Sequence, residues 1–326
     1  PQPRAEILGD VAGIYESTGQ ADRSEAVHRQ VLELAPDDPS IALPAARALE
    51  RIYVRNGKHR ELAEVLRIQV RLEEQGDLRR ELLGRLARLA EESLNDDGAA
   101  IDAWKERLED DPADDEALGA LDRLYERAAD HRNLVEVLRT RERNADDAEK
   151  RKALMERAAR TLETLGDVEE AILAYRALLD DFGADRRILG ALAALYEKAE
   201  RARDLAETLE ADLALATEPQ DRIDLLTRMG HVRRRNLGEI GDAIEAYRQA
   251  LSIDPSTVPA REALEELLSD EGAREEAAEI LRPLYEATGA DDKLVRVLDI
   301  QIDQESELEP GLDLLARAAT VCEGPL

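Results

Sequence analysis

Apolar residues recur along the chain at intervals of three and four. Leu118, Leu121, Leu124 and Tyr125 form one such stripe, and Leu134, Val137 and Leu138 form the next. That spacing puts them on one face of an α-helix. Polar and turn-forming residues interrupt the stripes: Asp110-Asp111-Pro112, Gly183, Asp254-Pro255, and the pairs Asn56-Gly57, Gly76-Asp77, Gly166-Asp167 and Gly241-Asp242. Glycine is suited to the residue after a helix and Asp to the cap of the next one. The pattern predicts about 18 helices of roughly 12–18 residues, and no segment reads as a strand.

The stripes also repeat on a longer scale. Leu62, Leu134, Leu205 and Leu294 open similar segments, separated by 72, 71 and 89 residues. Tyr53, Tyr125, Tyr196 and Tyr285 each lie nine residues before one of these leucines, and Trp104, Tyr175 and Tyr247 lie 42, 41 and 42 residues after the first three. With Tyr15, eight of the nine aromatics occupy equivalent positions, leaving only Phe182 outside. Each sits within an apolar helical period, so the series predicts one bulky core residue per helix pair rather than a stacking platform for bases or sugars. The copies predict units of about 3–38, 39–111, 112–182, 183–254 and 255–326 in one continuous array. One interval breaks the rule. Pro112 to Tyr125 and Gly183 to Tyr196 are both 13 residues, whereas Pro255 to Tyr285 is 30. The excess predicts an additional helix over Pro259–Ser269, a break near 255–290, and inverted layers beyond about residue 270.

Half of the long period is close to the roughly 34 residues of the tetratricopeptide repeat. Leu226, Met229-Gly230, Ala243, Tyr247, Ala250 and Pro255 stand in the order that family uses. So do Leu83, Leu86-Ala87, Ala100, Trp104 and Pro112. The first repeat has Leu8, Val11-Ala12, Tyr15 and Pro36, with Ser24 in a small-residue slot and His28 in the aromatic slot. Leu62 and Leu134 depart from the pattern, standing where the second helix carries Ala. The chain therefore resembles the tetratricopeptide-repeat family, in particular long bacterial arrays that alternate two repeat types. The resemblance implies an all-α, right-handed α-solenoid of stacked antiparallel helix pairs. It further implies a non-catalytic scaffold that holds a partner's extended or helical segment in a concave groove. An assembly or self-association element, or the regulatory repeat region of a larger protein such as an enzyme, is the alternative.

Charge sharpens this expectation. The chain carries 45 Lys+Arg against 74 Asp+Glu, a formal net charge of −29. Such a chain is a poor partner for phosphate backbones, and no run of about 18 apolar residues marks a membrane helix. Cys322 is the single cysteine, and the four histidines are far apart, so no metal or cofactor is expected. No signal segment is evident, which favours the cytoplasm. Only six basic residues are Lys, as a high-GC genome or a salt-adapted proteome would give. The last helix, Leu312 to Cys322, is expected to lack its partner helix, so the array stops within a unit. Acid pairs such as Glu91-Glu92, Glu169-Glu170 and Glu265-Glu266 are expected on solvated helix faces. His59 and His131 occupy matching turns, His28 is expected to be a satisfied half-buried side chain, and Asp96-Asp97-Gly98 lacks the further ligands of a calcium loop.

The family's groove is lined by the inner face of each first helix. Those positions carry Arg47, Arg51, Arg55, Arg88, Arg123, Arg127, Arg187, Lys198, His231, Arg234 and Arg235. Arg suits carboxylates because its fork is planar, so a basic groove holding an acidic segment is one expectation. The other is that glutamates such as Glu81, Glu91, Glu116 and Glu126 neutralise the arginines within the array.

Overall fold

The computed structural model describes residues 2–304 and 308–323, and among these no residue lies in a strand. The chain divides into two compact units, residues 1–165 and 166–326. The first contains α1 (Gln2–Ser17), α2 (Ala21–Leu34), α3 (Pro39–Asn56), α4 (His59–Leu72), α5 (Gly76–Leu89), α6 (Asp97–Asp110), α7 (Asp115–Arg127), α8 (His131–Arg143) and α9 (Ala148–Leu165). The second contains α10 (Val168–Phe182), α11 (Arg186–Lys198), α12 (Ala202–Leu215), α13 (Pro219–Val232), α14 (Ile240–Ile253), α15 (Val258–Leu267), α16 (Arg274–Thr288), α17 (Asp291–Gln304) and α18 (Leu308–Glu323). A five-residue π-helical turn follows α5 at Ala90–Leu94, and another follows α13 at Arg233–Leu237.

The ends of these helices follow from short-range chemistry. Asp38, Asp96, Asp114, Asp130, Asp167 and Asp185 each accept a backbone N–H in the first turn of the helix they precede. A carboxylate there satisfies an otherwise orphaned donor and meets the positive end of the helix dipole. Both π-turns end on a left-handed residue, Asn95 at φ 52° and Gly238 at φ 71°. His59 and His131 are the first helical residues of α4 and α8.

Within each unit, successive helices pack against each other and bury the faces that carry the repeat. One helix pair cannot bury its own apolar face, so a stack of pairs shares a continuous core. Tyr53, Trp104, Tyr125, Tyr175, Tyr196, Tyr247 and Tyr285 are all at most 5% exposed. Tyr15 differs from its expected place in that core and is half-buried, in a helix that packs on α2 and α3, with the Arg23 guanidinium over its ring. The segment that breaks the period forms α15, which ends at Leu267 and packs on α13, α14 and α16, while α16 also reaches α14.

Candidate partner-binding face

In the first unit the first helices of successive pairs are α1, α3, α5, α7 and α9, and in the second they include α11 and α13. The eleven basic positions expected to line one face do not form a uniformly available cationic surface. Six are held in ion pairs. Arg47 meets Glu73 at 3.2 Å, Arg51 meets Glu16 at 3.0 Å, and Arg88 meets Glu116. Arg127 meets Asp97 at 2.6 Å and Glu91 at 3.3 Å, Arg187 meets Asp185 at 3.5 Å, and Arg234 meets Glu266 at 2.7 Å. His231 is tied instead to the Tyr247 hydroxyl, 2.9 Å from its Nδ1. Burial is the main reason that its pKa is lowered and that of Tyr247 is pushed up to about 12. Arg55, Arg123, Lys198 and Arg235 are exposed and have no ion-pair partner among the described residues.

The pairing is systematic. Glu16, Glu91, Glu126 and Glu197 stand at equivalent places near the ends of first helices. Each takes an arginine from the next first helix: Arg51, Arg127, Arg157 and Arg228, at 3.0, 3.3, 2.9 and 2.5 Å. Sequence spacing could show that Arg and Glu alternate on this face, but it could not show which guanidinium crosses to which helix. Each exposed pair contributes little alone. Together they use up much of the positive charge expected to be free.

A second feature recurs along the chain. Gln69, Arg141, Asp212 and Gln301 each lie seven residues past a lattice leucine. Gln69 donates to Glu50 at 2.7 Å, and Glu50 also accepts Arg85. Arg141 donates to Asp122, which is 3% exposed and also accepts Arg157 at 2.8 Å. Arg186 donates to Asp212 at 2.7 Å and to Asp221 at 2.5 Å, and Arg282 donates to Gln301 at 3.1 Å. These are buried or half-buried pins between neighbouring helices. Removing one partner leaves a desolvated polar group, which favours a single register. The signal was present as a polar residue at a fixed offset within an apolar helix, but its chemistry changes from copy to copy.

His28 also differs from expectation. It is 6% exposed and neither ring nitrogen has a hydrogen-bond partner, so it is buried without being satisfied. Burial is the main cause of its lowered pKa, with Glu16 and Arg51 acting in opposite senses. Gly9, Gly119 and Gly190 lie inside first helices, and a Cβ added at each would meet nothing within 4 Å. Glycine there costs helix stability of about 1 kcal/mol relative to Ala and leaves the backbone open to approach. Among the described residues no group of three or more His, Cys, Asp or Glu side chains could hold a metal ion, and no helix is long and apolar enough to cross a membrane.

Two family models described as "Tetratricopeptide repeat" match the chain, one over residues 8–42 and one over residues 223–257. No curated protein matches it. Among solved structures, a tetratricopeptide repeat protein from Parabacteroides merdae is 16% identical, with a TM-score of 0.31 over 80% of this chain and 97% of that one. The 41-end form of MamA from Desulfovibrio magneticus is 17% identical, with a TM-score of 0.35 over 56% of this chain and 98% of its own. The C-terminal part of a repeat-containing protein from Cytophaga hutchinsonii is 10% identical, with a TM-score of 0.36 over 78% and 99%.

Proposed function

Since the chain is a tetratricopeptide-like repeat protein, we propose that it is a non-catalytic scaffold and that the exposed face of its first helices holds an extended segment of a partner protein. The observation that carries this reading is the set of cations left over. Arg55 and Arg123 in the first unit, and Lys198 and Arg235 in the second, are exposed and unpaired in a chain of net charge −29. Their natural counterpart is an acidic stretch of the partner. The acidic surface elsewhere repels the same stretch and so disfavours other modes of binding. The bare backbone at Gly119 and Gly190 would let the segment lie close.

The test begins with capture of a partner by the intact chain and mapping of its cross-links. Changing Arg55 and Arg123 together to Glu should weaken that complex and flatten its salt dependence. These are better positions than Arg51 and Arg127, whose replacement would also break ion pairs to Glu16, Glu91 and Asp97. Unchanged affinity and salt dependence in the double variant would place the partner elsewhere.

We further propose that α15 inverts the alternation of layers, so that α17, which carries Leu294, lies on the opposite layer from α12, which carries Leu205. Packing of α15 on α13 and of α16 on α14 supports this. An experimental structure with α12 and α17 in the same layer would overturn it.

A further inference from the structure

Four tyrosines of the lattice stand nine residues before a lattice leucine, and three of them have a cation of this chain beside the ring. At Tyr53 the Arg29 guanidinium and the Lys58 ammonium lie 5.6 and 5.7 Å from the ring centroid, and Arg29 Nε donates to the hydroxyl at 2.8 Å. Arg201 lies 5.0 Å from the Tyr196 centroid, and Lys293 lies 5.7 Å from that of Tyr285. A cation so placed gains from the negative face of the ring and can donate to the phenolic oxygen.

Tyr125 is the exception. Ile101 and Asp130 stand 72 residues after Arg29 and Lys58, so both cations of the Tyr53 cell are replaced. No cation lies over the Tyr125 ring among the described residues. The side chain is 5% exposed, and its hydroxyl has no hydrogen-bond partner among the described residues. That hydroxyl still reaches solvent, which the equally unpartnered Trp104 Nε1 does not. The charges that act on it are both negative: after burial, Asp130 and then Asp102 raise its pKa. Asp130 caps α8, accepting the Asn133 N–H at 3.2 Å and the Asn133 side-chain amide at 2.7 Å. Its oxygens keep further lone pairs. Asp102, on α6, is exposed and has no ion-pair partner among the described residues. Water can reach the hydroxyl, but the two carboxylates favour a donor that carries positive charge and repel an anion.

We propose that the Tyr125 cell takes from a partner protein the cation that its three counterparts take from this chain. The ammonium of a Lys or the guanidinium of an Arg donates to the Tyr125 hydroxyl and lies beside Asp102 and Asp130. The contact is opposite in sign to the one at Arg55 and Arg123, and it rests on the scaffold reading only in requiring a protein partner.

The test follows the ring signals of the seven tyrosines by NMR in the intact chain, with Tyr125→Phe identifying the Tyr125 signal. The probes are short blocked glycine peptides carrying one Lys, one Arg or one Glu. The Lys or the Arg peptide should shift the Tyr125 signal to saturation and leave Tyr53, Tyr196 and Tyr285, whose cations are in place, unmoved. The Glu peptide should do neither. Asp102→Asn should weaken binding roughly fivefold, as loss of one exposed charge partner does. Tyr125→Phe keeps the ring and its packing, and should abolish saturable binding read from the Asp130 and Asn133 amides. Ile101→Arg copies Arg29 and should also abolish it, by filling the cell from within, with the circular dichroism unchanged. No saturable shift at Tyr125, equal shifts at the other three tyrosines, or undiminished binding to Tyr125→Phe would each overturn the site. So would a gain of more than about tenfold on Lys105→Gln, well beyond the loss of one exposed charge, because Lys105, one turn along α6, would then be the resident cation. A site that fails while Arg55→Glu with Arg123→Glu still weakens the partner complex would leave the broader scaffold reading standing.

Discussion

α5 and α6 in the first unit and α13 and α14 in the second occupy the same cell of the lattice. Each first helix runs into a five-residue π-turn, and each second helix buries its aromatic almost completely, Trp104 at 1% exposed and Tyr247 at 0%. The surroundings differ. Gly230 stands against Tyr247, where a Cβ would come within 2.5 Å of ring carbon Cε1, and the matching residue in the first unit is Ala87. The Tyr247 hydroxyl is answered by His231, whereas Trp104 Nε1 has no hydrogen-bond partner among the described residues. The Arg107 guanidinium lies over the Trp104 ring, 5.4 Å from its centroid, and bonds to Asp114 at 2.7 Å. The repeat thus sets where a large side chain goes. How its polar edge is handled is settled locally, by His231 of the preceding helix in one cell and by no hydrogen-bond partner among the described residues in the other.

The comparison breaks most completely when the aromatics are removed. Trp104→Ala and Tyr247→Ala should each cost about 3–5 kcal/mol, through lost burial and a cavity that stacked neighbours cannot fill. The check is the urea midpoint followed by circular dichroism. A loss below about 1 kcal/mol in either cell would mean that the cell collapses and that the aromatic is not its keystone. Gly230→Ala comes next. The new methyl group must displace the Tyr247 ring, at about 1–3 kcal/mol. Ala87→Gly in the other cell should cost only about 1 kcal/mol, from helix propensity. Tyr247→Leu should relieve much of the Gly230→Ala penalty, so the double variant should lose less than the sum of the singles.

This contrast also shows what could be read in advance. The positions of Trp104 and Tyr247 were legible because burial imposes a period on apolar residues, and Pro255 to Tyr285 exposed the place of α15 because a spare helix lengthens an interval. The basic positions were legible as a set but not as a site. A guanidinium at Arg88 or Arg127 can reach several helices, and the choice of Glu116 or of Glu91 and Asp97 depends on the packing angle between them. The buried pins at Gln69, Arg141, Asp212 and Gln301 escaped for a related reason. Their shared feature is an offset, and the residue type varies because each needs only some donor or acceptor opposite.

Titration separates the two cells without changing their volume. His231 has a pKa lowered from its ordinary value of 6.5, mainly by burial and secondly by Arg235 and Arg234. The unfolded chain therefore binds the proton more readily than the folded one. The penalty is absent above about pH 6.5, grows as pH falls through the interval down to the lowered value, and then levels off. His28 contributes in the same sense. His231→Gln should flatten part of the decline in the unfolding midpoint between pH 7.5 and pH 5, and the flattening should be clear of the contribution that His28 retains. The matching position of the first unit carries Arg88 in place of an imidazole. An unchanged slope in the His231 variant would mean that the imidazole is solvated and that its bond to Tyr247 is not what buries it.

Arg88 supports the finest test of the comparison. Its guanidinium pairs with Glu116 on the next first helix, but the two side chains are 43% and 50% exposed. Solvent and salt screen such a pair, and fixing two long side chains opposes the Coulomb gain, so its net worth is below about 1 kcal/mol. Glu116 also accepts Arg107 at 2.9 Å, so losing Arg88 does not leave it alone. Arg88→His, which installs the residue of the second unit, should therefore change stability by less than about 0.5 kcal/mol. Trp104 presents no hydroxyl, so the new imidazole would lack the partner that His231 has in Tyr247. If Arg88→His instead destabilised the chain as much as Gly230→Ala, the ion pairs that cross between first helices would be principal supports of the stack rather than its trim.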